Sequence, residues 1–183
     1  MAAPAEPRSG PTPPLLVTLA LDAASQRHFD RLREAHFPPH RNKLAAHVTL
    51  FHHLPGVELA DVEAALTRSA DRPAFAVEVT AVASLGGGVA FTLSSGELHA
   101  VRQELAAAWA PMLTRQDSRP YWPHVTVQNK VSAEAARALL AQLEASFTPW
   151  AIGARGLRLW RYLDGPWEPV GEYPFTHRSG AAP

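Results

Sequence analysis

The tripeptide His-Val-Thr occurs twice in this chain, as His47-Val48-Thr49 in KLAAHVTLFH and as His124-Val125-Thr126 in RPYWPHVTVQ, 77 positions apart. With 9 histidines among 183 residues, chance supplies such a tripeptide well under once, roughly a few hundredths per chain. Each copy sits in an apolar, β-branched run and reads as a strand. Alternation puts His47 and Thr49 on one face and Val48 and Leu50 on the other. His124 and Thr126 oppose Val125 and Val127 in the same way. Each strand must bury one face in a core and hold an imidazole and a hydroxyl on the other. The fold has to accommodate that arrangement twice.

The surroundings of the two copies also repeat. LLVTLAL, from Leu15 to Leu21, predicts a buried strand. AASQRHFDRLREAH predicts a helix with Phe29, Leu32 and His36 on one face. After the first motif strand, Pro55-Gly56 breaks the run, and ELADVEAALTRSA sets Leu59, Val62 and Leu66 at helical spacing. AFAVEVTAVASL predicts a strand with Val77, Val79 and Ala81 opposite Glu78, Thr80 and Val82. Gly86-Gly87-Gly88 predicts a hairpin turn. The order then restarts. VAFTLS predicts a strand, and Ser94 with Glu97 has capping-box spacing before a helix facing inward through Leu98, Val101, Leu105 and Trp109. PHVTVQNKV is the second motif strand. Ser132 caps the next helix, whose apolar face includes Leu139, Leu143 and Phe147. GLRLWRYL and WEPVGEYPF close the chain as strands.

This recurrence predicts an α+β fold of two similar lobes, each a sheet covered by helices. The expected organisation is one bilobal domain over 15–176, with repeated halves at about 15–85 and 88–176. A Pro- and Ala-rich tail at 1–14 and a short tail at 177–183 cannot bury enough apolar surface to offset chain entropy. The chain is 46% hydrophobic, enough for a real core, and has no cysteine. That excludes disulfides, a thiol nucleophile and cysteine-ligated metal. It carries 17 basic and 17 acidic residues. Neutrality argues against an extended nucleic-acid tract, but not against a small nucleotide or a single RNA end. No run is long and apolar enough to span a membrane. A soluble, cytoplasmic monomer is expected.

If the two motif faces meet across one cleft, that cleft holds two imidazoles and two hydroxyls. In-line displacement at phosphorus needs a base on the entering oxygen and an acid on the leaving oxygen. Imidazoles with ordinary pKa values near 6.5 can serve as both. Threonine hydroxyls can donate to the non-bridging oxygens. Nothing in this set requires a metal. Two H-h-T/S-h motifs (h apolar), one per half, resemble the 2H phosphoesterase superfamily, which includes 2′-5′ RNA ligase-like proteins and cyclic nucleotide phosphodiesterases. HVTL and HVTV both match in full, and the resemblance extends from about Leu15 to Phe175. It implies a bilobal fold with two mainly antiparallel sheets lining a central cleft and helices outside. It implies metal-independent catalysis by His47 and His124, with Thr49 and Thr126 binding phosphate. The implied substrates are nucleotides or RNA ends with a 2′,3′-cyclic phosphate or a 2′-5′ linkage. No cofactor is expected. Which histidine is base and which acid stays open.

Secondary candidates follow from the same alternation. Phe51 and Tyr121 or Trp122 can stack a base, although an aromatic beside a strand is more often core. Lys130 shares the alternation of His124, Thr126 and Gln128 and is the first choice to neutralise phosphate, ahead of Lys43, Arg119 and Arg161. Trp160 and Tyr162 can wall the cleft or fill a lobe. His53 is placed on the face of His47, Thr49 and Phe51, with His52 next to it. A zinc site there lacks a matching carboxylate. Two alternatives compete with the phosphodiesterase: a non-catalytic nucleotide- or RNA-binding module on the same fold, and a histidine-ligated metallohydrolase.

Overall fold

The structure is a computed structural model that describes residues 12–176. The expected tails therefore lie almost wholly outside the described residues. Residues 12–14, assigned above to the tail, are packed: the Tyr162 N–H donates to the Pro14 carbonyl at 2.9 Å. A Cβ on Gly56 would come within 2.1 Å of the Pro13 carbonyl oxygen, so this close approach requires glycine.

Seven strands and four α-helices build the described chain. The strands are β1 (Leu15–Leu21), β2 (Val48–Leu54), β3 (Phe75–Ser84), β4 (Val89–Ser94), β5 (His124–Gln128), β6 (Trp150–Tyr162) and β7 (Trp167–Pro174). The helices are α1 (Ala23–His36), α2 (Leu59–Ser69), α3 (Gly96–Ala108) and α4 (Ala133–Ala145). The fold is α+β and every strand pair is antiparallel, but the expected two sheets are one. The strand order is β2-β1-β6-β3-β4-β5, with β7 also paired to β6.

The 13-residue β6 makes one sheet out of two. β1 runs along one edge of it, pairing from Ala154 to Arg161. On the other edge β3 pairs with Trp150 to Ala154, and β7 then pairs with Gly156 to Tyr162. Phe75 stacks on Phe175 at 5.2 Å where β3 gives way to β7. The expected divide between halves falls inside the β3–β4 hairpin, whose turn uses Gly86 at φ 77°. β3 therefore lies with β4 and β5.

The two His-Val-Thr strands end up at opposite extremes of the strand order. Sheet twist curls the sheet until Cα atoms of β2 and β5 come within 8 Å of each other. α1 packs across onto β5, α4 onto β3 and β4, and α2 and α3 on each other. Phe29 of α1 is fully buried beside Phe91 and Trp150.

Local chemistry explains the element ends. Asp22 caps α1 by accepting from the N–H groups of Ala24 and Ser25, and it also accepts from Gly153 at 2.7 Å. Burial alone would raise its pKa, but these bonds and the Ser25 hydroxyl bring it down to about 2. Ser132 caps α4 as expected. The cap of α3 is Ser95 rather than Ser94: its hydroxyl oxygen accepts from Leu98 N–H and donates its own proton to Glu97. β3 bulges at Thr80, between the Val79–Leu93 and Ala81–Thr92 pairs. That flips its alternation, so Val82 is buried and Ala81 exposed. No helix among the described residues is long and apolar enough to cross a membrane.

Candidate active site

His47 immediately precedes β2 and His124 opens β5. Their rings are held alike. His47 Nδ1 lies 2.8 Å from the Ala45 carbonyl and His124 Nδ1 lies 2.9 Å from the Trp122 carbonyl. A carbonyl oxygen can only accept, so each Nδ1 carries a proton and donates it. Each neutral ring is left with a bare Nε2. Each also lies against a tryptophan: Trp167 is 4.7 Å from His47 and Trp122 is 4.4 Å from His124, centroid to centroid.

The motifs interlock crosswise. A hollow of about 640 Å3 holds His47 with Thr126. A smaller one, about 200 Å3, holds His124 with Thr49. Each histidine thus shares its hollow with the threonine of the other motif. A buried arginine completes each set. Arg33, 4% exposed, lines the larger hollow, and Arg102, 6% exposed, lines the smaller. Arg33 of α1 donates to the Thr126 carbonyl at 2.8 Å and to Asn42 Oδ1 at 3.2 Å. Arg102 of α3 donates to the Leu50 carbonyl at 2.8 Å and to the Asp117 carbonyl. The acceptors on β5 and β2 belong to edge strands, whose outer carbonyls need partners. Each arginine therefore ties the helix of one motif to the strand of the other.

Burial lowers the pKa of both histidines. His47 falls to about 4, burial outweighing the Ala45 bond, with the charges of Arg33, His124 and His52 adding to the effect. For His124, burial outweighs the Trp122 bond, and His52 pushes the same way. Both rings are neutral at pH 7 and ready to accept a proton. Five cations, Arg33, Arg41, Lys43, Arg102 and Arg119, line the two hollows, against one acid, Asp117. That acid is already used: it accepts from the backbone N–H groups of His52 and His53 and from His52 Nδ1. A chain neutral overall thus has a positive cleft, which favours an anionic ligand.

The secondary expectations divide. Tyr121 lines the smaller hollow, and its buried hydroxyl has no hydrogen-bond partner among the described residues. Burial pushes its pKa up, so it remains a neutral donor. Phe51 does not face the cleft. It is fully buried against Trp109 and beneath Arg102, which sits 3.8 Å above its ring. The cause is a bulge: Thr18 opposes Thr49 and Val17 opposes Phe51, which leaves Leu50 unpaired. The same bulge puts His52, rather than His53, in the hollow of His124. Lys130 is also misplaced by the alternation argument. β5 ends at Gln128, and Lys130 turns away at φ 60°, exposed and outside both hollows. Of the other cations named, Lys43 and Arg119 line the clefts, whereas Arg161 pairs with Glu168. Trp160 walls a small hollow of about 160 Å3 that His47 also lines, and donates to Thr18, while Tyr162 is exposed. Among the described residues no three His, Asp or Glu side chains gather as metal ligands would. Arg33, Arg102, Asp117 and Trp167 were missed, because nothing in their local pattern marks them.

A profile of the 2′-5′ RNA ligase superfamily matches residues 21–166. No curated protein matches the chain by sequence. Among solved structures, E. coli LigT complexed with NADP+ aligns at a TM-score of 0.61 and 17% identity, over 92% of this chain and all of that one. LigT complexed with 3′-AMP aligns at 0.57 and 21% identity, with the same coverage. The protein TT0787 of Thermus thermophilus aligns at 0.63 and 16% identity, over 88% of this chain and 97% of that one. At such identities the structural likeness speaks for the fold, and the profile match speaks for the family. The chain belongs to the 2′-5′ RNA ligase superfamily, a group of 2H phosphoesterases.

Proposed function

We propose that this protein is a metal-independent phosphodiesterase acting on a 2′,3′-cyclic phosphate or a 2′-5′ linkage of a nucleotide or RNA end, with His47 and His124 as its general base and acid. The observation that carries this reading is the crosswise pairing of two imidazoles with bare Nε2 atoms and two threonines. A phosphate seated between the hollows meets a hydroxyl on each side and a proton carrier on each side. One imidazole takes the proton of the entering oxygen as the new P–O bond forms. The other gives its proton to the leaving oxygen as the old bond breaks. In the reverse direction the two exchange roles. The bound anion offsets the burial that disfavours imidazolium, so the second histidine can hold the proton it must give. Thr49 and Thr126 donate to the non-bridging oxygens, and the positive cleft attracts the substrate. E. coli LigT, solved with 3′-AMP and with NADP+, accommodates nucleotides on this fold.

The test is turnover of 2′,3′-cyclic mononucleotides, cyclic-phosphate-ended RNA and 2′-5′ dinucleotides with a chelator present. Hydrolysis should persist. Activity abolished by the chelator and restored by zinc would overturn the two-histidine reading in favour of a metallohydrolase. Tight nucleotide binding with no turnover of any substrate would favour a binding module.

A further inference from the structure

The two hollows differ in what lies beyond their shared His, Thr and Arg, and the difference bears on the substrate. The smaller ends on Tyr121, Trp122 and Arg119, and its acid is saturated by backbone N–H groups and His52. The larger has about three times the volume. It runs outward from His47 and Thr126 to Arg41, Lys43 and Asn129, with no acidic side chain in its lining. Arg41 and Lys43 are exposed, and among the described residues neither side chain makes a hydrogen bond or ion pair.

Their positions are not those of loose surface cations. Both flank Asn42, whose side-chain oxygen is held from below by the buried Arg33. The backbone around them is a short 3-10 turn, Pro39–Arg41, closed by Asn42 N–H bonds to the carbonyls of Pro38 and Pro39. Arg41 and Lys43, on either side of the anchored Asn42, both line the larger hollow. The scissile phosphate is already provided for by the histidines and threonines. Two further cations and a carboxamide, gathered on one side, have no work to do on that group.

We propose that Arg41, Lys43 and Asn129 form a second phosphate subsite on the His47 side, so that the preferred substrate carries another phosphate next to the scissile one. That second group can be the neighbouring phosphodiester of an oligonucleotide or a terminal phosphate on a mononucleotide. A lone cyclic nucleoside phosphate leaves the subsite empty. The inference rests on the phosphodiesterase reading for its substrate class, but the subsite can be tested without turnover.

In the first experiment, calorimetry compares adenosine 3′,5′-bisphosphate with adenosine 3′-monophosphate on the wild type and on an Arg41→Ala/Lys43→Ala variant. The wild type should bind the bisphosphate about tenfold tighter or more, as charge-assisted contacts allow. In the variant the ratio should fall close to one. Circular dichroism checks that the variant is folded. Equal affinities in the wild type, or a preference that survives in the variant, overturn the subsite. In the second experiment, kcat/KM is compared for a 2′,3′-cyclic mononucleotide, its 5′-phosphorylated form and a dinucleotide ending in a cyclic phosphate. An advantage shared by both larger substrates and lost in the variant supports the subsite. An advantage confined to the dinucleotide and kept in the variant assigns it to base contacts and overturns the proposal. If no substrate turns over but the bisphosphate preference holds, the phosphodiesterase reading fails and the subsite stands.

Discussion

The hollow of His47 and the hollow of His124 share one chemical plan and differ in build. Each has an imidazole with its Nδ1 proton tied to a carbonyl two residues back, a tryptophan beside the ring, the other motif's threonine and a buried arginine. Around His124 the remaining space is filled by Tyr121 and the His52–Asp117 pair. Around His47 it is left open and positive. Such a comparison separates what the reaction needs twice from what the substrate needs once. On the proposed function, features common to both hollows serve proton transfer and phosphate binding. On the same proposal, features found in only one serve the body of the substrate.

The strongest challenge to this division is removal of either histidine. His47→Ala and His124→Ala should each lower kcat by the roughly 10²–10⁴-fold typical of lost acid–base catalysis. The double variant should fall little further, since the two act as a unit. A single variant that keeps most of its turnover would end the equivalence of the hollows. Thr49→Val and Thr126→Val should each cost about 10²-fold in kcat, the low end for one lost oxyanion donor. A change in KM alone would instead make the threonines ground-state binders.

The arginines test the structural side of the comparison. Arg102→Ala strips partners from two backbone carbonyls, and Arg33→Ala from one, so Arg102 should be the costlier loss. About 2–3 kcal/mol in urea unfolding is expected for Arg102 and roughly half that for Arg33. Equal losses would mean that the strand contacts alone matter.

pH gives a smaller but discriminating signal. Because burial lowers both histidines from the usual 6.5, the bell of kcat/KM should centre below pH 6.5, with apparent pKa values that belong to the pair. An optimum at or above pH 7 would contradict the lowered values. Stability should move in the matching direction. As pH falls from 6.5 towards 4, the unfolded chain takes up protons that native His47 refuses, so the native state loses ground. Above pH 6.5 both states are neutral at this residue and the effect vanishes. His47→Gln should flatten that slope, measured by urea unfolding at pH 7 and pH 5. The smallest effect is expected from Lys130→Ala, outside both hollows. It should change stability by no more than about 0.5 kcal/mol and leave kcat/KM as it was.

The local chemistry was largely legible in the sequence. Periodicity placed the strand from Leu15 to Leu21 and the helix from Ala23 to His36 at their observed bounds. The i, i+2 rule correctly put Val48, Leu50, Val125 and Val127 in the core. It failed where a bulge interrupted a strand, at Phe51 and His52, and where it was carried past a strand end, at Lys130. Bulges arise from pairing with a neighbour, and no residue in β2 announces one. The stretch from Trp150 to Arg155 was also missed as strand. Gly153 and the preceding Thr148-Pro149 dilute its pattern, and its strand conformation depends on pairing with β3.

The amino-acid order alone carried the two imidazoles, the two hydroxyls and the family. These are properties of short stretches, written in residue identity and alternation. Folding supplied the relation between those stretches. One long strand joined the two halves into a single sheet, and twist brought its far edges together. Crossed arginines from α1 and α3 then seated each histidine with the other motif's threonine. Those facts depend on contacts between residues 52 to 93 positions apart, a range over which local pattern carries no information.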